Sequence, residues 1–155
     1  MIAVEGGTFA MGGTAEQGSD TYEDEYPVHQ VTLSGYSIGE TEVTQALWQA
    51  VMGSNPSYFN GDYHSIYGAH IDYGIDLQRP VEYVSWDDCQ EFITKLNQLT
   101  GQSFRLSTEA EWEYAARGGS KSMGYKYAGG NTASDWAWYR SNSDKMVHPG
   151  DEVSE

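Results

Sequence analysis

One stretch of this chain carries a long helical period, and it limits what the rest can be. Cys89, Phe92, Ile93, Leu96 and Leu99 recur at i, i+3, i+4, i+7 and i+10, the spacing of a single buried helix face. Ser85 stands ahead of this stripe as an N-cap, with Asp88 three residues on, and Gly101 supplies the stop. The spacing predicts a helix over 86–100. Nothing else in the 155 residues has a comparable run. With 18 glycines and 12 tyrosines, much of the remaining backbone is expected to be turn and loop, with aromatic rings supplying buried area.

Shorter signals fill in the remainder. The opening MIAVEGGTFAMGG reads as two short strands parted by Gly6-Gly7, and TAEQGSDTYEDEY at 14–26 as a surface loop. Pro27 introduces VHQVTLSGYSIGETEV, a strand and a following turn. A helix over Gln45–Met52 follows from Thr44 as N-cap and Gly53 as stop, with Leu47, Ala50 and Val51 expected on its inner face. Residues 55–76 have no period and read as one long loop. Their Tyr, Gly, Ser and Asn content, including Tyr58, Tyr63, Tyr67 and Tyr73, suits an adaptable recognition surface. Ser103 to Leu106 reads as a short strand. Thr108 and Glu111 form a capping box that opens a third helix through Arg117, stopped by Gly118-Gly119. Within it Trp112 and Ala116 lie one turn apart, and Trp112 is expected at the centre of the fold. Arg105 is expected to pair with Glu109, Glu111 or Glu113. There is no repeat and no linker, so residues 1–155 read as one domain.

Charge narrows the function classes. The net charge of -15 repels phosphate backbones and anionic bilayers, which argues against nucleic acid and membrane partners. No apolar run approaches the roughly 20 residues that cross a bilayer. The start carries no secretory signal, and the compartment is left open. The single cysteine, Cys89, makes neither an internal disulfide nor a cysteine-pair metal site. It falls on the apolar stripe as a buried thiol, among Asp87, Asp88 and Glu91, which disfavour a thiolate. His29, His64, His70 and His148 show no zinc-ligand spacing and read as loop or core histidines. Asn131, Asp135, Asn142 and Asp144 offer oxygen ligands for calcium, without the spacing of a motif.

Four segments, in order, carry a resemblance: GGTFAMGG at 6–13, EYPVHQVTLSGYSIGETEVTQALW at 25–48, PVEYVSWDDCQEFI at 80–93 and RLSTEAEWEYAARGG at 105–119. The chain resembles the N-terminal portion of the formylglycine-generating (sulfatase-modifying) enzyme family, differing at Ser107, where the family usually has proline. The resemblance implies an α+β, C-type-lectin-like, loop-rich fold, expected here to be incomplete. It implies a protein partner, a sulfatase or another polypeptide substrate. It also implies oxidation of a sulfatase cysteine to formylglycine with molecular oxygen, on copper held by two cysteines near the C-terminus of the domain. No such pair, and no Gly-Asn-Val-Trp-Glu-Trp-like motif, occurs in these residues. No catalytic, cofactor-binding or metal-binding residue is therefore assigned. Copper belongs to the full-length family, and calcium is the other cation to consider. Two functions stay open: a portion of an oxygen-dependent enzyme, inactive by itself, or a non-catalytic binding module on the same scaffold. The missing cover for its apolar faces would leave the chain marginally stable or prone to associate.

Overall fold

The computed structural model describes residues 1–61, 64–66, 69–71, 74–139, 141–143 and 148, with backbone only over 64–66 and 69–71. In chain order the elements are β1 (Ile2–Val4), β2 (Gly7–Met11), 3-10 turns at Ala15–Asp20 and Glu23–Glu25, β3 (His29–Leu33), β4 (Tyr36–Ile38), α1 (Gln45–Met52), β5 (His64–Ile66), β6 (Ala69–Ile71), α2 (Trp86–Thr100), α3 (Glu109–Ala116), and 3-10 turns at Gly119–Lys121 and Ala133–Asp135. They gather into two compact units.

The first unit comprises Met1–Glu40 and Ser107–Ala137. Here β1 pairs antiparallel with β4, Ala3 opposite Ser37, and β2 with β3, Phe9 opposite Val31. The segment after Pro27 thus forms two strands, because Ser34-Gly35 breaks it between separate partners. Helix α3 packs on β2 through Tyr114, which is 3% exposed and tilts against Phe9 at 5.1 Å between ring centroids. Gly7 makes that approach possible: a Cβ there would collide with the Tyr114 hydroxyl. The capping box forms as expected, with Thr108 Oγ1 accepting from Glu111 N and Thr108 N donating to Glu111 Oε2. Gly118, with φ of 90°, ends the helix in the left-handed conformation that glycine adopts freely.

The second unit holds Thr41–Leu106 and the described residues from Trp138 onward. Its helices form where the caps place them. Thr44 Oγ1 accepts from Leu47 N, and Ser85 Oγ accepts from Asp88 N. Gly53 and Gly101 end α1 and α2 with φ of 85° and 67°. The core between them is an aromatic stack, Trp48 on Phe92, with centroids 4.9 Å apart and planes 2° from parallel.

The inner face of α1 differs from the expectation. Leu47 is 43% exposed and Ala50 is exposed, whereas Gln45 and Trp48 are buried. Trp48 has the larger area to hide. Gln45 is tolerated inside because it is fully bonded: Nε2 donates to the Phe59 and Pro80 carbonyls, and Oε1 accepts from Asn55 Nδ2 at 2.8 Å. On α2, Phe92 is buried, Cys89, Ile93 and Leu96 are half-buried, and Leu99 is 68% exposed in the last turn.

Two further expectations change. Residues 55–76 contain the antiparallel pair β5–β6 rather than loop throughout. Tyr58 is half-buried, stacking on Tyr83, while Tyr63, Tyr67 and Tyr73 lie outside the described residues. Residues 103–106 make no strand. Asn97 on α2 satisfies Phe104 instead, its Oδ1 accepting from Phe104 N and its Nδ2 donating to Phe104 O. A side-chain amide thus substitutes for a neighbouring strand.

Candidate functional site: an apolar groove beside the signature helix

Helix α3 has two working faces. One turns Tyr114 into the first unit, and the other carries Trp112, Ala115 and Ala116. These three, with Ile2 and Val4 of β1, Ile38 of β4 and the Gly118-Gly119 turn, line a groove of about 620 Å³. Trp112 is 62% exposed, so it is a wall of this groove and not the centre of the core. Trp112 and Tyr114 are two residues apart, about 200° around the helix, so they point to opposite sides, and Tyr114 takes the inner position. Ala116, one turn from Trp112, leaves the space open, as the Trp-to-Ala spacing suggests. The rim is charged: Glu5, Glu40 and Lys121 border it, and Ser120 Oγ donates to Glu5 Oε2 at 3.2 Å.

The helix is fixed by a polar latch at its C-terminal end. Arg117 Nε donates to Glu113 Oε1 at 2.8 Å, and Nη2 lies at the same distance from that oxygen. The guanidinium also donates to the Gly12 carbonyl, Thr14 Oγ1 and Gln17 Oε1 at 2.8, 2.9 and 3.2 Å. Gly12 N donates back to Glu113 Oε1 at 3.0 Å. A planar fork meets four acceptors, a geometry available to arginine and not to lysine. In the sequence Arg117 marks only the end of the third helix. The i,i+4 spacing of Glu113 and Arg117 was the signal for the pair, but nothing local pointed to the loop at 12–17. On the opposite side, the Tyr36 hydroxyl donates to the Glu111 carbonyl. Burial, followed by the charge of Glu111, pushes the Tyr36 phenol up.

Other residues singled out earlier take local roles. Cys89 is half-buried on α2, and burial, then Asp88, raises its thiol above the ordinary value. His29 Nδ1 donates to the Pro27 carbonyl, and His148 Nε2 to the Ser143 carbonyl with its ring stacked on Trp138. The side chains of His64 and His70 lie outside the described residues. Asn131 Oδ1 accepts from Lys126 N, Asn142 Oδ1 from Tyr139 N, and Asp135 Oδ1 from Ser134 Oγ. Asp144 is outside the described residues. Among the described residues, no three His, Cys, Asp or Glu side chains group to hold a metal ion.

Residues 1–152 match the family described as "Sulfatase-modifying factor enzyme 1-like domain". The chain belongs to this family. Among curated relatives, the chaperone protein LppX of Paenibacillus barcinonensis is 32% identical over 97% of this chain and 57% of its own length. The formylglycine-generating enzyme of Streptomyces coelicolor is 32% identical over 91% of this chain and 54% of its own. A solved structure, Treponema denticola variable protein 1, superposes with a TM-score of 0.70 at 33% identity, over 95% of this chain and 63% of that one. The family fold, α+β, lectin-like and loop-rich, is therefore that of this chain. The chain spans little more than half the length of these curated relatives.

The copper chemistry that the sulfatase-modifying resemblance implies does not fit the donors present. Copper(I) favours soft thiolate pairs. This sequence holds one cysteine, and burial, then Asp88, raises its thiol above the ordinary value.

Proposed function

We propose that these 155 residues act as a polypeptide-binding portion of a sulfatase-modifying-factor-like domain and do not carry out cysteine oxidation by themselves. The observation that carries this reading is the groove beneath Trp112. Its walls are apolar, its rim is charged, and it runs beside a two-stranded sheet. Among the described residues β1 pairs with β4 alone, which leaves strand edges to which an extended segment can add. Large exposed apolar surfaces on folded domains mark interaction sites. The relative named a chaperone, aligned over 97% of this chain, supports a polypeptide as the occupant.

The test uses reduced, alkylated lysozyme, an unfolded basic chain whose charge complements this acidic one. Fluorescence anisotropy of the labelled polypeptide should show saturable binding that Trp112→Ala weakens by about tenfold, a loss on the order of 1.4 kcal/mol. Circular dichroism should show the variant folded. Absence of saturable binding, or equal binding by the variant, would refute the reading.

A second reading is favoured by the name of the Streptomyces coelicolor relative. On that reading the groove holds the cysteine segment of a sulfatase, and the thiol pair is supplied by polypeptide other than these residues.

A further inference from the structure

A different observation lies in the second unit. Tyr83 sits between α1 and the start of α2 with φ of 63°, the one non-glycine residue among those described with a left-handed backbone. Side chains with a Cβ resist that region. Its neighbours enforce it. Val81 N donates to the Val43 carbonyl, Glu82 N to Ser57 Oγ, and Glu82 Oε1 accepts from Phe59 N. Two residues on, Ser85 is locked by its box with Asp88. The ring stacks on Tyr58 with centroids 6.2 Å apart, yet Tyr83 remains 79% exposed. Residues held in such backbone conformations cluster at active sites, ligand clamps and switch regions.

The ring borders a pocket of about 320 Å³. Trp48 and Met52 provide apolar lining, and Asp88, Glu91 and Lys95 provide charge. Glu91 Oε1 holds the Lys95 ammonium at 2.8 Å, with both side chains substantially exposed. Such a surface pair is weak and exchanges readily. It also displays the chemistry the pocket accepts, an alkylammonium on a carboxylate beside an aromatic face. Asp88 and Glu91 outnumber Lys95, and the whole chain carries -15. Asp88 is held in the Ser85 box, so an incoming cation gains the Glu91 carboxylate in exchange with Lys95, together with the face of Tyr83.

We propose that the Tyr83 pocket receives a lysine side chain of a partner polypeptide, its stem along Trp48 and Met52 and its ammonium between Tyr83 and Glu91. The occupant is independent of the groove in the first unit, so either site stands or falls alone.

The test is an NMR titration of the intact chain, at physiological salt, with acetyl-Gly-Lys-Gly-amide, its norleucine counterpart and butylammonium as probes. The backbone amides of Val84, Asp88 and Glu91 report occupancy. The lysine peptide should shift them saturably, and the uncharged norleucine peptide should bind about fivefold or more weakly. Tyr83→Phe should preserve binding. Tyr83→Gly should lose it by a similar factor without lowering the melting temperature, because glycine relieves the backbone. A purely structural tyrosine would instead lower the melting temperature and leave binding unchanged, which overturns the proposal. Equal binding of the norleucine peptide also overturns it, and butylammonium binding as tightly as the peptide would overturn the polypeptide partner.

Discussion

Replacing Trp48 and Trp112 separately by alanine should separate core from groove. Trp48 is 4% exposed and stacks on Phe92, itself 4% exposed. Removing a fully packed ring costs about 3–5 kcal/mol, of which about 0.5–1.5 belongs to the aromatic pair. Trp112 is 62% exposed, so roughly four-tenths of its surface is hidden. For a ring offering about 200–250 Å², that is about 80–100 Å², or about 2 kcal/mol at about 25 cal/mol per Å². The figure is an upper bound, since the unfolded chain already hides part of it. Urea unfolding followed by far-ultraviolet circular dichroism should therefore give a midpoint much lower for Trp48→Ala than for Trp112→Ala. Equal midpoints, or the larger loss at Trp112, would refute the assignment of Trp112 to a groove wall.

Arg117→Lys should destabilise by about 2 kcal/mol in the same assay, because the ammonium cannot reach the four acceptors that the guanidinium meets. Lys95→Ala, which removes an exposed pair, should shift stability by no more than about 0.5 kcal/mol. Cys89 should react with iodoacetamide more slowly than free cysteine at about pH 8, since burial and Asp88 raise its thiol; faster reaction would contradict the placement. The Asp88 carboxyl is held below its ordinary value of 3.8 by the Ser85 hydroxyl and backbone amide. Its contribution to stability is complete above that value and fades as pH falls through the lower folded one. Asp88→Asn should flatten this part of the acid limb in urea titrations below about pH 4.

Local chemistry was legible in the sequence and three-dimensional competition was not. The caps at Thr44, Ser85 and Thr108 and the glycine stops at 53 and 101 were readable because a cap is satisfied within three residues of itself. The ordered segments that carry the family were readable for a different reason, since their pattern spans the chain. Burial depended on neighbours distant in sequence. Tyr114 rather than Trp112 faces inward, where Gly7, over a hundred residues away, leaves room for its hydroxyl. Gln45 went inside because Asn55, Phe59 and Pro80 converge on its amide. The latch of Arg117 on Gly12, Thr14 and Gln17 and the strand replacement by Asn97 are likewise contacts that no local period announces.

The central claim is that this chain carries the family's scaffold and a polypeptide groove without the thiol chemistry. The most direct measurement is mass spectrometry of a sulfatase-derived cysteine peptide incubated with the purified chain, copper(I), reductant and oxygen. The account predicts an unchanged cysteine, equal to the control containing copper alone, since the sequence supplies one thiol where a thiolate pair is needed, and burial with Asp88 raises it. Formylglycine produced above that control would contradict it.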